Sequence, residues 1–224
     1  MRTRLKVCCI SSREEAHLAI GAGADALGLV ARMPSGPGPI ADELIRDIAR
    51  IAPPPIATFL LTSEIEPDAV VAHARRTGVS TLQLVDDGVE PDVWHAVRSD
   101  LPSLRIVQVV HVRDDSSIDL ALRAASHVDA LLLDSGNPAA QVRELGGTGR
   151  VHDWSLSRRI VERSPVPVFL AGGLNPANVG DAIRAVRPFG IDLCSGVRSN
   201  GRLDADKLHA LVSAIRRADA GLVI

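Results

Sequence analysis

The chain has 224 residues, enough for one large domain, since single barrels commonly run to about 200–250 residues. Aromatic residues make up 2% of it against 46% hydrophobic, so the core must be aliphatic and stacking on nucleobases is nearly excluded. With 25 Lys plus Arg against 27 Asp plus Glu, a formal charge of -2, there is no basic surplus for nucleic acid or an anionic membrane.

Taken in chain order, short Val-, Ile- and Leu-rich runs alternate with amphipathic stretches. The expected succession is strand 5–10, helix 13–22, strand 26–30, helix 42–51, strand 56–61, helix 67–77, strand 81–85 and helix 91–100. It continues with strand 105–110, helix 117–126, strand 130–133, helix 155–162, strand 168–171, helix 176–186, strand 191–194 and helix 205–217. Ser12 before Arg-Glu-Glu, Asp153 or Ser155, and Asn175 before Pro176 supply helix starts. Eight strand-helix units of about 28 residues favour a single (β/α)8 TIM barrel of the α/β class over an open doubly wound sheet. No linker or low-complexity tract interrupts the pattern, which predicts one domain over 1–224. The loop 33–39, Met-Pro-Ser-Gly-Pro-Gly-Pro, is expected either as a mobile lid or as an ordered rim.

Cys8, Cys9 and Cys194 fit neither a disulfide framework nor a CxxC metal pattern, and this usage predicts a cytoplasmic protein. The apolar stretch near Met1 is too short for a signal peptide, and no run approaches the length of a membrane span. The histidines show no metal-ligand pairing, and no Walker loop or GxGxxG opens a helix, so no metal and no ATP or NAD cofactor is expected.

In such a barrel chemistry sits at the C-terminal ends of the strands. The first strand ends Lys6-Val7-Cys8-Cys9, and its period of two puts Lys6 and Cys8 on one face, Val7 and Cys9 on the other. An ammonium beside Cys8 would favour the thiolate, the form that acts as base or nucleophile; the alternative is that the cysteines fill the core. Cys194, beside a turn of small residues, reads as packing. Asp134 ends a run of three leucines and either caps the following loop or supplies an acid opposite Cys8. Gly172-Gly173 and Ser195-Gly196 follow the last two strands, where backbone N–H groups commonly hold phosphate. Gly146-Gly147-Thr148-Gly149 offers a third glycine loop from the sixth strand.

These motifs together resemble phosphoribosylanthranilate isomerase of tryptophan biosynthesis. The resemblance rests on Lys6-Val-Cys-Cys-Ile-Ser11, Gly21-Ala-Gly-Ala-Asp-Ala-Leu-Gly28, Leu131-Leu-Leu-Asp134 and Gly146-Gly-Thr-Gly149 with His152-Asp-Trp-Ser-Leu156. Ala171-Gly-Gly-Leu-Asn-Pro176 and Ile191-Asp-Leu-Cys-Ser-Gly-Val197 complete it. It implies a cofactor-independent Amadori rearrangement of a small phosphoribosyl amine, with Asp134 as general acid on the ring oxygen and Cys8 as general base at C2. It further implies a substrate site that includes Lys6, Arg32, Gly147, Gly149, Gly172, Gly173, Ser195 and Gly196.

Three positions depart from the family pattern. Cys9 replaces a glycine and is expected on the helix-facing side of its strand. The loop after the second strand lacks the arginine that pairs with the anthranilate carboxylate, leaving Arg32 as the nearby cation. Leu84-Val85-Asp86-Asp87-Gly88 stands where His-Gly-Asp is usual. The departures leave room for a paralogue acting on a different phosphoribosyl amine, or for a non-catalytic phosphosugar-binding barrel; the oligomeric state is not encoded in these motifs.

Overall fold

The computed structural model describes residues 2–34, 36–86, 89–135 and 152–222. The first half of the chain alternates β1 (Arg4–Val7), α1 (Arg13–Ala22), β2 (Ala26–Val30), α2 (Asp42–Ile51), β3 (Ala57–Thr62), α3 (Pro67–Thr77), β4 (Thr81–Leu84) and α4 (Pro91–Asp100). The second half gives β5 (Arg105–His111), α5 (Ser116–Ala125), β6 (Ala130–Asp134), α6 (Trp154–Arg163), β7 (Val168–Leu170), α7 (Val179–Val186) and β8 (Gly190–Leu193). A 3-10 turn (Ser195–Val197) and a short hairpin of β9 (Arg198–Ser199) and β10 (Arg202–Leu203) lead into α8 (Ala205–Gly221). The strands from β1 to β8 lie in sequence order, all parallel, and β8 pairs back onto β1 to close the barrel.

Parallel strands covered on both faces explain the unbroken apolar runs in the sequence. Leu131 and Leu133 of β6, Ile106 and Val110 of β5 and Leu60 of β3 pack against the helices. Their neighbours Ala130, Leu132, Val107, Val109, Phe59 and Leu61 form a separate cluster inside the barrel. Phe59 and Phe169 meet edge to face at 6.1 Å within that inner cluster, and Gly190 leaves room for the Phe169 ring, which a Cβ there would approach to 2.7 Å. Among the described residues no helix is long and apolar enough to cross a membrane.

Most element boundaries fall where the hydrophobic pattern places them, and the differences have local causes. The helix expected from Pro176 starts at Val179, because Asn175 accepts from the backbone N–H of Ala177 and Asn178 and folds that stretch into a turn. The first strand stops at Val7 rather than running to residue 10, because Cys9 adopts a left-handed backbone, φ 60°. Ser12 and Asp153 do cap α1 and α6, accepting from the N–H of Glu15 and Ser155.

Leu131 is fully buried between barrel and helices. Leu131→Ala is expected to lower the unfolding free energy by about 2–5 kcal/mol in a urea titration, through lost transfer energy plus the cavity left behind.

Candidate active site

The site grows from two residues on β1. Lys6 points into the barrel and is completely buried. Cys8, just beyond the strand, lies above it on the same side. Gly28 of β2 makes this arrangement possible: a Cβ there would stand 2.7 Å from Cys8 Sγ and 3.0 Å from Lys6 Nζ. Thiol and ammonium therefore share the space over one bare stretch of backbone.

An ammonium in such a place needs a counter-charge. Asp192 supplies it from β8, in direct register with Lys6, at 2.8 Å from Nζ to Oδ2. Burial alone would pull the lysine pKa down, yet Asp192 and then Cys8 outweigh it, and the net direction is up. The other carboxylate oxygen, Asp192 Oδ1, is buried without a partner, and the residue lines the mouth cavity. Sequence reading passed over Asp192; the available signal was an acid in the middle of a buried apolar strand, two residues before Cys194.

Across the cavity Asp134 ends β6, and its side chain is buried. Burial pushes its carboxyl above the ordinary range and the charge of Asp192 adds to this, against the Ser135 N–H, His111 and Lys6. An acid so placed tends to keep its proton, which suits a proton donor. Gln83 of β4, buried in the cavity wall, turns an unpartnered Oε1 inward and is a second polar group the sequence reading did not single out.

The glycine-rich end assembles as the sequence predicts for the turns after β7 and β8. Gly172 and Gly173 line the cavity in consecutive left-handed conformations, φ 85° and 64°, beside Leu174 and Ser195. Gly196 stands just outside the lining and has no space for a side chain, since a Cβ would meet the Leu174 carbonyl oxygen at 2.0 Å. Gly147 and Gly149 lie outside the described residues. Arg32 is exposed and not part of the cavity wall. On that side the wall is Val30, Met33, Gly36, Pro37, Leu61 and Val85, with no aromatic, lysine or arginine lining it among the described residues. The Ile40 N–H bonds the Val30 carbonyl at 2.9 Å just after the loop that follows β2, and Met33 and Pro37 line the cavity.

Cys194 packs against the inner cluster, as its place beside a small-residue turn leads one to expect, whereas the expectation for Cys9 is corrected. Cys9 does not face the helices: its positive φ breaks the strand alternation and turns the side chain to the inner cluster, where it lines the cavity with Cys8 and Cys194. Gly38 packs on it, with space that a Cβ would close to 2.7 Å from Cys9 Cβ. The backbone there is fixed by Arg198, which donates to the Cys9 carbonyl and to Glu15 Oε2 at 2.9 Å; Glu15 also accepts from the Leu203 N–H at 2.8 Å. A carboxylate on α1 thereby clamps the exit of β8 to the exit of β1.

His152 lies below the Gly172 turn, where a Cβ on Gly172 would stand 3.2 Å from its Nδ1, and its Nε2 pairs with Ser157 Oγ at 2.6 Å. Burial lowers its pKa to about 4, so the ring is neutral at pH 7.

Two outcomes follow from these charges. Asp192→Asn, which strands the Lys6 ammonium, is expected to lower stability by about 3–5 kcal/mol, and Lys6→Met combined with Asp192→Leu to recover most of the loss; denaturant titration of the three proteins checks this. His152 binds its proton in the unfolded chain near pH 6.5 but in the folded protein only near pH 4. Its stabilising contribution is complete above pH 6.5 and is lost as pH falls towards 4, so the wild type should lose stability more steeply over that window than His152→Gln.

Comparison with known proteins places this geometry. Residues 5–214 match the family model described as N-(5'-phosphoribosyl)anthranilate (PRA) isomerase. A Methanosarcina mazei protein named N-(5'-phosphoribosyl)anthranilate isomerase 2 is 39% identical over 92% of this chain and 90% of its own length. A Halobacterium salinarum protein named N-(5'-phosphoribosyl)anthranilate isomerase is 37% identical, covering 97% of this chain and 96% of its own. The crystal structure of phosphoribosyl anthranilate isomerase from Thermotoga maritima superposes with a TM-score of 0.80 at 30% identity, over 96% of this chain and 99% of that one. Another, in complex with reduced 1-(o-carboxyphenylamino)-1-deoxyribulose 5-phosphate, gives 0.77 at 28% identity, with coverage of 96% and 99%.

Proposed function

The chain belongs to the N-(5'-phosphoribosyl)anthranilate isomerase family, and from that premise we propose that its mouth cavity carries out the Amadori rearrangement of tryptophan biosynthesis. N-(5-phosphoribosyl)anthranilate is the substrate and 1-(2-carboxyphenylamino)-1-deoxyribulose 5-phosphate the product. The observation that carries the assignment of roles is the placement of Cys8 and Asp134 on one cavity, from β1 and β6, with a charged Lys6 under the first and a burial-raised carboxyl on the second.

Asp134 gives its proton to the furanose oxygen, the C1–O bond breaks, and the amine nitrogen lone pair forms the iminium. Cys8 then takes the proton from C2, and the electrons of that C–H bond neutralise the iminium to give an enolamine. Tautomerisation of its 2-hydroxyl delivers the ketone, with no net change in atoms. The Lys6 ammonium lies next to Cys8 over the bare backbone of Gly28 and puts a positive charge beside the base. Asp192, anchored by Lys6 through one oxygen, offers the other to a sugar hydroxyl or the amine N–H.

Gly172, Gly173 and Ser195 form the end of the cavity for the phosphate, with Gly196 letting the β7 and β8 turns pack closely enough to share it. The aromatic ring takes the aliphatic wall of Val30, Met33, Pro37, Leu61 and Val85. A soluble, cytoplasmic enzyme that works on a small phosphoribosyl amine accounts for the charge balance and the free thiols.

Purified protein is expected to consume phosphoribosylanthranilate with loss of its fluorescence, and Cys8→Ala and Asp134→Asn each to lower kcat by about 10²–10⁴-fold. Wild-type turnover no faster than those variants would remove the assignment. Turnover of carboxylate-free phosphoribosyl amines alone would move it to a paralogous substrate, which the cation-free wall at the ring end would then explain.

A further inference from the structure

All three phenylalanines of the chain line one cavity, and it is not the mouth. This cavity opens at the N-terminal end of the barrel, where Arg4, Ala57 and Arg105 begin β1, β3 and β5, and it measures about 480 Å³, a size that suits a small ligand. The interior of such a barrel is ordinarily filled by bulky branched side chains. Here Ala26 and Ala57, in register on β2 and β3, and Ala130 of β6 stand inside instead, and their small size leaves the space open. Phe169 meets Phe59 edge to face at 6.1 Å and Phe189 at 5.4 Å, so the three rings form a continuous aromatic wall. Phe189 is 37% exposed, an apolar ring left at the entrance.

The charges around that wall favour an anion. Asp25 accepts from Arg2 and from the Leu5 N–H at 2.9 Å, and Asp129 is shared by Arg98 at 2.8 Å and Arg105 at 3.0 Å, so both carboxylates of the lining are already engaged. Arg4 is the cation left over. It stands at the seam where β1 closes on β8, in register with Gly190, with its guanidinium carbon 5.7 Å from the centre of the Phe189 ring. Its side chain donates to the Arg2 carbonyl at 3.1 Å, and among the described residues no carboxylate pairs with it. We propose that this cavity is a second ligand site, remote from the chemistry, that takes a small aromatic carboxylate. The ring lies among Phe59, Phe169 and Phe189 and the carboxylate on Arg4. A planar guanidinium can give a carboxylate two parallel N–H bonds and keep its place over an aromatic face. An aromatic ligand gains edge-to-face contacts beyond the apolar area that an alkyl chain would also bury.

The test does not depend on what the mouth turns over, and the composition supplies its reporter. In full-length protein isotope-labelled at its phenylalanine rings, every labelled ring borders this cavity and none lines the mouth. Titration with 2-naphthoate, followed by aromatic NMR, is expected to give saturable shifts of those rings. Arg4→Met should weaken the binding by about 10–100-fold, the share of a charge-assisted bond. The uncharged 2-naphthamide should bind the wild type no better than 2-naphthoate binds Arg4→Met. Ala130→Leu, which fills the space and leaves Arg4 in place, should abolish the shifts. No saturable shift in the wild type, equal affinity for acid and amide, or undiminished binding in Arg4→Met would overturn the proposal. Ring shifts that depend on protein concentration in the absence of ligand would do the same, because the cavity would then be covered by a second copy of the chain.

Discussion

The Lys6–Asp192 pair sets the terms for the rest of the molecule. An ammonium with no solvent exposure inside an aliphatic barrel is tolerable only because a carboxylate stands opposite it in the same strand register. That requirement fixes the alignment of β1 on β8. A slip of one residue would send Lys6 to the helix side and Asp192 to a different neighbour. Closure of the barrel and placement of the site are therefore one constraint, because Cys8 and Cys194 occupy the positions that follow from the same register.

The pair also divides the chemistry. The positive charge of Lys6 sits beneath Cys8, while Asp134, on the far wall, is raised chiefly by burial, with the Ser135 N–H and His111 opposing and the like charge of Asp192 adding a smaller push. Asp134 thus tends to keep its proton because of its surroundings and not because of its residue type alone. The phenylalanines Phe59 and Phe169 lie in the inner cluster beneath, and the Lys6 ammonium sits 5.3 Å from the centroid of the Phe59 ring. Aromatic rings support the charged layer from below, and the lining of the mouth is left to aliphatic and small residues.

Where periodicity governs, the sequence was legible. The eight strand-helix units, the inward direction of Lys6, Cys8 and Asp134 and the small-residue turns after β7 and β8 all follow from a repeat of two in strands and from the position of strand ends. Where one backbone angle governs, it was not. Cys9 reads as an outward residue under strict alternation, and only its left-handed φ, with Gly38 yielding the space, brings it into the cavity. Asn175 reads as a cap next to Pro176, but its side chain closes a turn and delays α7 to Val179. Asp192 and Gln83 were missed for a different reason: their significance lies in having an oxygen without a partner, which is a property of three-dimensional neighbours. Arg32 illustrates the converse, since proximity in sequence to the loop did not bring its side chain to the cavity wall.

The seam has a temporal side as well. Lys6 and Asp192 are 186 positions apart, so a chain emerging from the ribosome carries the lysine long before its carboxylate exists. Until β8 arrives, β1 cannot settle into a dry interior without leaving its ammonium uncompensated, and Glu15 likewise waits for Arg198 and Leu203. β1 is thereby kept hydrated and uncommitted until β8 arrives. The middle strands can assemble around their aliphatic layers first, and the mouth of the cavity comes into being only with the last closure.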